Sequence, residues 1–331
     1  MTLTETTPMT ITRRYSILST VAMLAMPAMA QDHQTRQLTI VVPFAPGGST
    51  DLVTRAIAEK MSKSLGQTIV VDNKAGASGL IGTEFVVRAA PDGIILGAVG
   101  ASTGVHPHLM GPLPRYKFDD LTYVGQLAYV EFVLVARKNL EANNVKELID
   151  LAKSRPGKLN CGDSGAALHL AMELFKSITH TDIVRVAYKG DTPALVDLVG
   201  GHVDLGMLTL AGAMGQIKAG TVKVIGLASR TRSRAVPDAP TIAESGLSGL
   251  SSYESGVPTM LALPKATPRP IVDRLNVALT EALSDPALVE RFASMGLGVS
   301  RYTPAEAQGV MKAEYNKLAR LLKEANIPTE R

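Results

Sequence analysis

Continuous apolar runs alternate with segments of helical periodicity along the chain after Gln31. The first three runs predict parallel strands that are buried on both faces, at 38–42, 68–71 and 94–99. Helical spacing over 51–65 and 80–90 places one helix between each pair of strands. Ser49 or Thr50 is positioned to cap the first helix. Two βαβ crossovers of this kind predict an open α/β sheet.

A second series of strands and helices begins after Tyr129 and has a similar plan. Strands are predicted at 158–161, 183–187, 203–208 and 222–228, and helices at 145–155, 168–178, 193–199 and 211–219. A strand at 261–263 precedes a helical end, with helices at 271–284, 286–295 and 304–325. Because the chain leaves one unit and returns to finish it, we predict two lobes. Lobe I comprises 31–130 plus 254–331, and lobe II comprises 131–253.

The first thirty residues have the pattern of an export signal. Arg13-Arg14 precedes a short apolar stretch, 17–26, and Ala28-Met29-Ala30 forms a small-residue cleavage site. The apolar stretch is shorter than the about 20 residues of a membrane span. We expect cleavage after Ala30 and a periplasmic mature chain. The arginine pair leaves Sec and twin-arginine export open, although Ser16 stands where the latter usually has a large apolar residue.

Composition narrows the class of protein. With 46% hydrophobic and 19% charged residues in 331, the chain is globular rather than disordered or fibrous. Aromatic residues make up only 4%, and the lysines and arginines behind the net charge of +4 are scattered, so no nucleic-acid partner is expected. Cys161 is predicted to be a buried small residue, the alternative being a catalytic thiol beside His169. His106 and His108 are predicted to be loop residues, with no metal and no cofactor.

The segment 43–51 carries the most information about function. It follows the first strand and opens the first helix, where open α/β sheets bind ligands. Gly47 and Gly48 let the backbone approach a ligand, and their N–H groups at the positive helix end would form an anion site. Ser49 and Thr50 would add hydroxyl groups. An ordinary capped turn explains the same spacing, and spacing alone favours it.

Two other small-residue loops, 73–79 and 97–104, follow the second and third strands at the same sheet edge, which indicates a cleft. Neither matches a nucleotide-binding motif. Gly162-Asp163-Ser164-Gly165 has the letters found around the serine of chymotrypsin-like proteases, but it lies between a parallel strand and a helix. A serine hydrolase that uses Ser164 and His169 is therefore an alternative function, with no orienting acid identified.

Several motifs run in order across nearly the whole mature chain. They are Val42-Pro43-Phe44-Ala45-Pro46-Gly47-Gly48-Ser49-Thr50-Asp51, the stretch 66–82, Ala89-Ala90-Pro91-Asp92-Gly93, Pro156-Gly157-Lys158-Leu159-Asn160, His169-Leu170, Tyr188-Lys189-Gly190, Gly200-Gly201-His202-Val203-Asp204-Leu205, Ile217-Lys218-Ala219-Gly220 and Pro240-Thr241-Ile242-Ala243-Glu244. Taken together, these motifs resemble the Bug family, the periplasmic solute-binding receptors of tripartite tricarboxylate transporters.

The resemblance implies a two-lobed periplasmic-binding-protein fold with two open, mostly parallel sheets, helices on both faces and two crossover segments. It implies a monomeric receptor, not an enzyme, that closes on a small organic carboxylate and delivers it to an integral membrane permease. An orphan receptor that feeds a sensor kinase is the alternative. The loops 47–48 and 76–79 would hold one ligand carboxylate, and lobe II would reach across from the loop before His169 and around Tyr188. The residues expected to bind the ligand are Phe44, Gly47, Gly48, Ser49, Thr50, Ala77, Ser78, Ser102, Asp163, Ser164, His169 and Tyr188.

The chain departs from the family pattern in lobe II. The 162–167 loop is shorter than usual, Ala187 stands where Pro is common, and an aromatic residue near Pro258 is absent. An Asp that is common after the Val-Asp-Leu strand is replaced in Gly206-Met207-Leu208. The resulting wall is less polar, which favours a ligand with an apolar or aromatic distal end. Asp163 instead favours a ligand whose distal end carries a cationic or hydroxyl group. The sequence leaves the apolar and the polar alternative open.

Overall fold

One long strand runs through both halves of the molecule and joins two sheets. The computed structural model describes residues 36–100 and 116–324. The strands are β1 (Leu38–Val42), β2 (Ile69–Asn73), β3 (Ile95–Gly100), β4 (Leu121–Arg137), β5 (Asn160–Asp163), β6 (Val184–Ala187), β7 (Leu205–Thr209), β8 (Val222–Leu227), β9 (Gly256–Pro264) and β10 (Leu297–Gly298). Their order is β2-β1-β3-β9-β4-β7-β5-β6, and β8 and β10 also pair with β4.

Each sheet combines a parallel part with an antiparallel part. In the first, β1 lies parallel to β2 and β3, while β9 runs antiparallel to β3 and β4. In the second, β5 lies parallel to β6 and β7, while β7 and β8 run antiparallel to β4. The predicted α/β class is confirmed, but the pairing is mixed rather than mostly parallel. The difference arises because β4 leaves the first half and β9 returns to it in the opposite direction.

Helices pack on the faces of both sheets. They are α1 (Ser49–Leu65), α2 (Leu80–Val87), α3 (Val145–Ser154), α4 (Ala166–Thr179), α5 (Asp191–Gly200), α6 (Leu210–Lys218), α7 (Arg269–Ala282), α8 (Pro286–Ala293) and α9 (Pro304–Glu324). Short 3₁₀ turns occupy Ala77–Gly79, Phe118–Asp120 and Ala243–Ser245. The predicted hydroxyl cap of α1 is wrong, because the helix already begins at Ser49 and Gly48 precedes it without a side-chain cap.

The core forms where the apolar faces of these elements meet. Ile57 and Met61 of α1 are fully buried with Leu38 and Ile40 of β1. Burial of an apolar side chain of this size contributes roughly 1.5–3 kcal/mol, so such clusters fix α1 against its sheet. Within 36–100 and 116–324, no helix is both long and apolar enough to cross a membrane. The lobe boundaries stay a prediction, and the first of them falls inside β4.

Candidate functional site

A cavity of about 60 Å³ lies between the carboxyl ends of strands from the two sheets. Its lining residues are Phe44, Gly48, Ser49, Thr50, Ala98, Gly100, Val130, Phe132, Ser164, Gly165, Ala167, Leu168, Gly190, Asp191, Thr209, Val257 and Thr259. Hydroxyl groups from both sheets and the Asp191 carboxylate share the lining with apolar side chains, and no Lys, Arg or His is found among the described lining residues. An anion in this cavity would have backbone N–H and hydroxyl groups as donors rather than a cationic side chain.

The loop ahead of α1 is held by a carboxylate of the same helix. Gly47 has φ 86°, which suits glycine, and its N–H donates to Asp51 Oδ2 at 3.0 Å. Asp51 also accepts hydrogen bonds from Asn73 (2.9 Å) and Arg55 (3.1 Å). Burial opposes ionisation, but these bonds outweigh it and lower the pKa of the Asp51 carboxyl. The Gly47 N–H is therefore already bonded within the protein.

A second carboxylate reaches the amino end of α1 from the other sheet. Asp191, the first residue of α5, is only 4% exposed, and it accepts a hydrogen bond from the Ser164 hydroxyl at 2.8 Å. The Thr209 hydroxyl also donates to it, and Asp191 Oδ2 lies 3.6 Å from the place of a β-carbon on Gly48, just ahead of α1. Burial raises the pKa of Asp191, and the hydrogen bonds offset only part of that rise. The protein's own carboxylate thus lies where the sequence predicts an anion.

Two segments meet over the cavity. The Ala45 N–H donates to the Lys189 carbonyl at 2.9 Å, and the Thr192 hydroxyl donates to the Pro46 carbonyl at 3.0 Å. Gly190 lies between these contacts, where a β-carbon would come within 2.8 Å of Ala45 Cβ. The segments 44–48 and 189–192 therefore form a clasp, which closes the cleft between the two sheets.

The structure brings five of the residues predicted to bind ligand into the cavity lining: Phe44, Gly48, Ser49, Thr50 and Ser164. Ala77 and Ser78 lie outside it, in a 3₁₀ turn where both have positive φ (45° and 52°). That turn supports the site from behind, since a β-carbon on Gly79 would lie 3.2 Å from the Phe44 ring. Ser102, His106 and His108 fall outside the described residues.

Asp163, His169 and Tyr188 do not line the cavity. Both Asp163 oxygens accept from Arg185, at 2.7 and 3.0 Å, and the Tyr188 hydroxyl donates to Asp197 at 2.6 Å. Burial and that hydrogen bond raise the pKa of Tyr188 to about 12. Buried His169 places Nε2 3.7 Å from Glu173 Oε1.

The pair proposed for a hydrolase is not arranged as nucleophile and base. Ser164 donates to Asp191, whereas His169 is directed to Glu173 on its own helix. Cys161 is 1% exposed, and burial raises the pKa of its thiol, as expected for a buried small residue.

Asp191, Thr209 and Thr259 were missed by the sequence reasoning. Asp191 directly follows the Tyr-Lys-Gly motif and opens a helix at the carboxyl end of β6, the same position that singled out residues 47–50. Thr209 ends β7, and its side chain caps α6 by accepting the Gly212 N–H at 3.2 Å. The position at the carboxyl end of a strand, where a helix begins, could therefore have identified Asp191 and Thr209 from the sequence.

Comparison with known proteins agrees with this geometry. The profile of the tripartite tricarboxylate transporter family receptor (TctC) matches residues 53–327. BugT of Bordetella pertussis is 34% identical over 305 residues, which cover 91% of this chain and 93% of BugT. The structure of MatC from Rhodopseudomonas palustris with bound malate aligns with a TM-score of 0.82 and 32% identity, covering 87% of this chain and 99% of MatC. The structure of R. palustris Rpa4515 with adipate aligns with a TM-score of 0.82 and 31% identity, covering 89% of this chain and 98% of Rpa4515.

The matched profile spans most of the chain. It includes α1 from Val53 onward, the segment 189–192 and the cavity residues other than Phe44, Gly48, Ser49 and Thr50. The chain therefore belongs to the tripartite tricarboxylate transporter receptor family, which includes the Bug proteins.

Proposed function

We propose that this protein is a periplasmic receptor that closes on a small organic carboxylate and delivers it to a permease of the tripartite tricarboxylate type. The clasp over the cavity carries the proposal, because segments from both sheets meet there through hydrogen bonds at 2.9 and 3.0 Å. Two related receptors that bind malate and adipate support a carboxylate as the ligand class.

The contacts over the cavity suggest that the cleft opens for a ligand. The hydrogen bonds at 2.9 and 3.0 Å between the segments 44–48 and 189–192 join the two sheets across the cleft. The ligand therefore enters when the segments 44–48 and 189–192 separate, and the two lobes close on it. The hinge would lie in β4 and in the chain just before β9, between lobe I (31–130 plus 254–331) and lobe II (131–253).

The distribution of polar groups suggests how a ligand lies. The Ser164 and Thr209 hydroxyl groups meet at Asp191 beside the amino end of α1, while Val130, Phe132 and Val257 supply apolar surface. A ligand carboxylate would be bound at the hydroxyl end, beside the amino end of α1, and its carbon chain would contact the apolar wall.

Export and delivery complete the proposed function. Cleavage after Ala30 would leave a mature chain that begins at Gln31, and sequencing the amino terminus of periplasmic protein tests this. A start other than Gln31 would contradict the proposed cleavage site.

Binding itself is tested with a panel of mono-, di- and tricarboxylates that includes malate and adipate, in a thermal-shift assay on the mature protein. A ligand at one hundred times its dissociation constant stabilises the folded state by about 2.7 kcal/mol, which gives a clear rise in melting temperature. The matched amides and alcohols serve as controls and should give no rise. A rise with sugars or cations but with no carboxylate would contradict the proposal.

A further inference from the structure

A negatively charged group already stands at the place proposed for a ligand carboxylate. The Asp191 side chain accepts hydrogen bonds from Ser164 and Thr209, and its Oδ2 lies 3.6 Å from the place of a β-carbon on Gly48, at the amino end of α1. Among the described residues that line the cavity, Asp191 is the only titratable one. A ligand carboxylate that seeks the same donors therefore meets Asp191 rather than a cation.

Two carboxylates that compete for one set of donors do not both remain ionised when no cation lies between them. Each destabilises the charged form of the other, so such a pair holds one proton. The Gly47 N–H offers no alternative site, because it donates to Asp51. Binding thus requires either that Asp191 leaves the amino end of α1 or that it becomes neutral.

Of the ionisable groups near this place, Asp191 is the one that takes the proton. The titratable and charged groups on the elements around it are Asp51, Arg55, Glu59, Lys60 and Lys63 on α1, Tyr123, Tyr129, Glu131 and Arg137 on β4, Cys161 and Asp163 on β5, Arg185 on β6, His169, Glu173 and Lys176 on α4, Tyr188 and Lys189 before α5, Asp197 on α5 and Lys218 on α6. None of them lines the cavity. Asp51 is paired with Arg55 at 3.0 Å and Asp163 with Arg185 at 2.7 Å, so both flanking carboxylates have cationic partners.

We propose that Asp191 makes carboxylate binding depend on proton uptake: a ligand carboxylate occupies the amino end of α1 only when Asp191 has gained one proton. This inference rests on the proposed receptor function and adds a requirement to it. The proton comes from solvent and resides on the Asp191 carboxyl, whose O–H then donates to a ligand oxygen. The ligand carboxylate accepts the Ser49 N–H at the amino end of α1.

Burial already raises the pKa of Asp191, which lowers the cost of this protonation. The sign of the pH dependence follows. Below the pKa of Asp191 in the free receptor, the dissociation constant is flat. Above that pKa it rises by about tenfold per pH unit, because one proton must be taken up for each ligand bound.

The test is isothermal titration calorimetry of the mature protein with malate and with adipate. Titrations run at about pH 6.5, 7.5 and 8.5, above the ordinary pKa range of carboxylic acids, so that the ligand stays ionised. Each pH uses two buffers of different ionisation enthalpy, which reports the number of protons bound. Wild type should take up close to one proton at the highest pH. Asp191→Asn, which keeps a side-chain oxygen as acceptor, should take up none and bind at least about tenfold more tightly at pH 8.5.

Asp150→Asn is the matched control, because it removes the same charge from an exposed position on α3 in the same half of the molecule. It should behave as wild type. Carboxylate binding by wild type with no proton uptake would overturn the inference and leave the receptor function standing, and this measurement needs no variant to fold. A weaker affinity in a folded Asp191→Asn would likewise overturn it. Failure of wild type and variant to bind any carboxylate would refute the receptor function and the inference together.

Discussion

The backbone N–H of Ala45 donates to the carbonyl oxygen of Lys189, and this 2.9 Å hydrogen bond joins the loop after β1 to the segment before α5. Ala45 follows β1 of the first sheet, and Lys189 follows β6 of the second. Because the bond uses backbone atoms, it requires the two chains to approach closely, and Gly190 provides the space.

Gly190→Ala should therefore prevent full closure of the clasp. Its new β-carbon would lie 2.8 Å from Ala45 Cβ and 3.1 Å from the Ala45 backbone nitrogen, and neither atom can move as a flexible side chain does. We expect at least about a tenfold loss of ligand affinity, or 1.4 kcal/mol, with the unliganded melting temperature nearly unchanged. Gly215→Ala is the control, since a β-carbon there has nothing within 4 Å. Equal affinity in the two variants would show that the clasp does not contribute to binding.

Substitutions at Gly48 test whether the ligand contacts the cavity wall at the amino end of α1. A β-carbon at Gly48 would lie 3.6 Å from Asp191 Oδ2, an ordinary contact, so Gly48→Ala should bind nearly as wild type. Gly48→Val adds two methyl groups at the same place and should lose most of the ligand affinity without a large change in the unliganded melting temperature. Calorimetry with malate or adipate compares the two. Unaltered affinity in the valine variant would place the anion elsewhere.

The Asp163–Arg185 pair should affect stability rather than ligand choice. Asp163 is 1% exposed, and Arg185→Met would leave its carboxylate buried without this partner. Breaking one side of a buried ion pair costs about 3–5 kcal/mol of unfolding free energy. Arg155→Met, which breaks the exposed pair with Glu141, should cost much less. Urea unfolding measures both. A change in ligand order in a stable Arg185→Met would instead support a role for Asp163 in recognition.

Asp51 should stabilise the loop ahead of α1 in a pH-dependent way. Its pKa in the folded protein lies below the ordinary 3.8, so its contribution is complete above pH 3.8 and is lost as the pH falls through the lower folded-state value. Asp51→Asn should reduce the unfolding free energy at pH 7 by about 1.5–3 kcal/mol, the usual value for hydrogen bonds to a charged group. Urea unfolding between pH 7 and the acid range should show the gap to wild type narrowing. A gap that stays constant would contradict the assignment.

Hydrophobic periodicity was sufficient to predict the parallel strands of both sheets and most of the helices. Strand β1 and the end of α1 at Gly66, whose φ is 64°, lie where the pattern puts them. Strand β4 was missed because Gly125, Gln126 and Glu131 interrupt its apolar run, although the strand is almost wholly buried by partners distant in sequence. Burial of that kind depends on tertiary pairing, which local periodicity does not report.

At the candidate site, local sequence likewise did not reveal the partners of the buried carboxylates. Asp163 and Asp191 each lie at the junction of a parallel strand and a helix, and the sequence singled out only Asp163. The partner decides their roles: β6 runs beside β5 and brings Arg185 to Asp163, whereas Asp191 meets hydroxyl groups and the amino end of α1. Pairing between strands that are distant in sequence sets these partners, so spacing alone could not distinguish the two residues.

Native mass spectrometry of the mature protein tests the central claim most directly. Protein purified without denaturation, or incubated with malate, adipate and other small carboxylates, should carry the added mass of one carboxylate per chain, and denaturation should release it. Matched amides and alcohols should add no mass. A chain that retains no carboxylate under any of these conditions, or that carries only a sugar or a cation, would contradict the account.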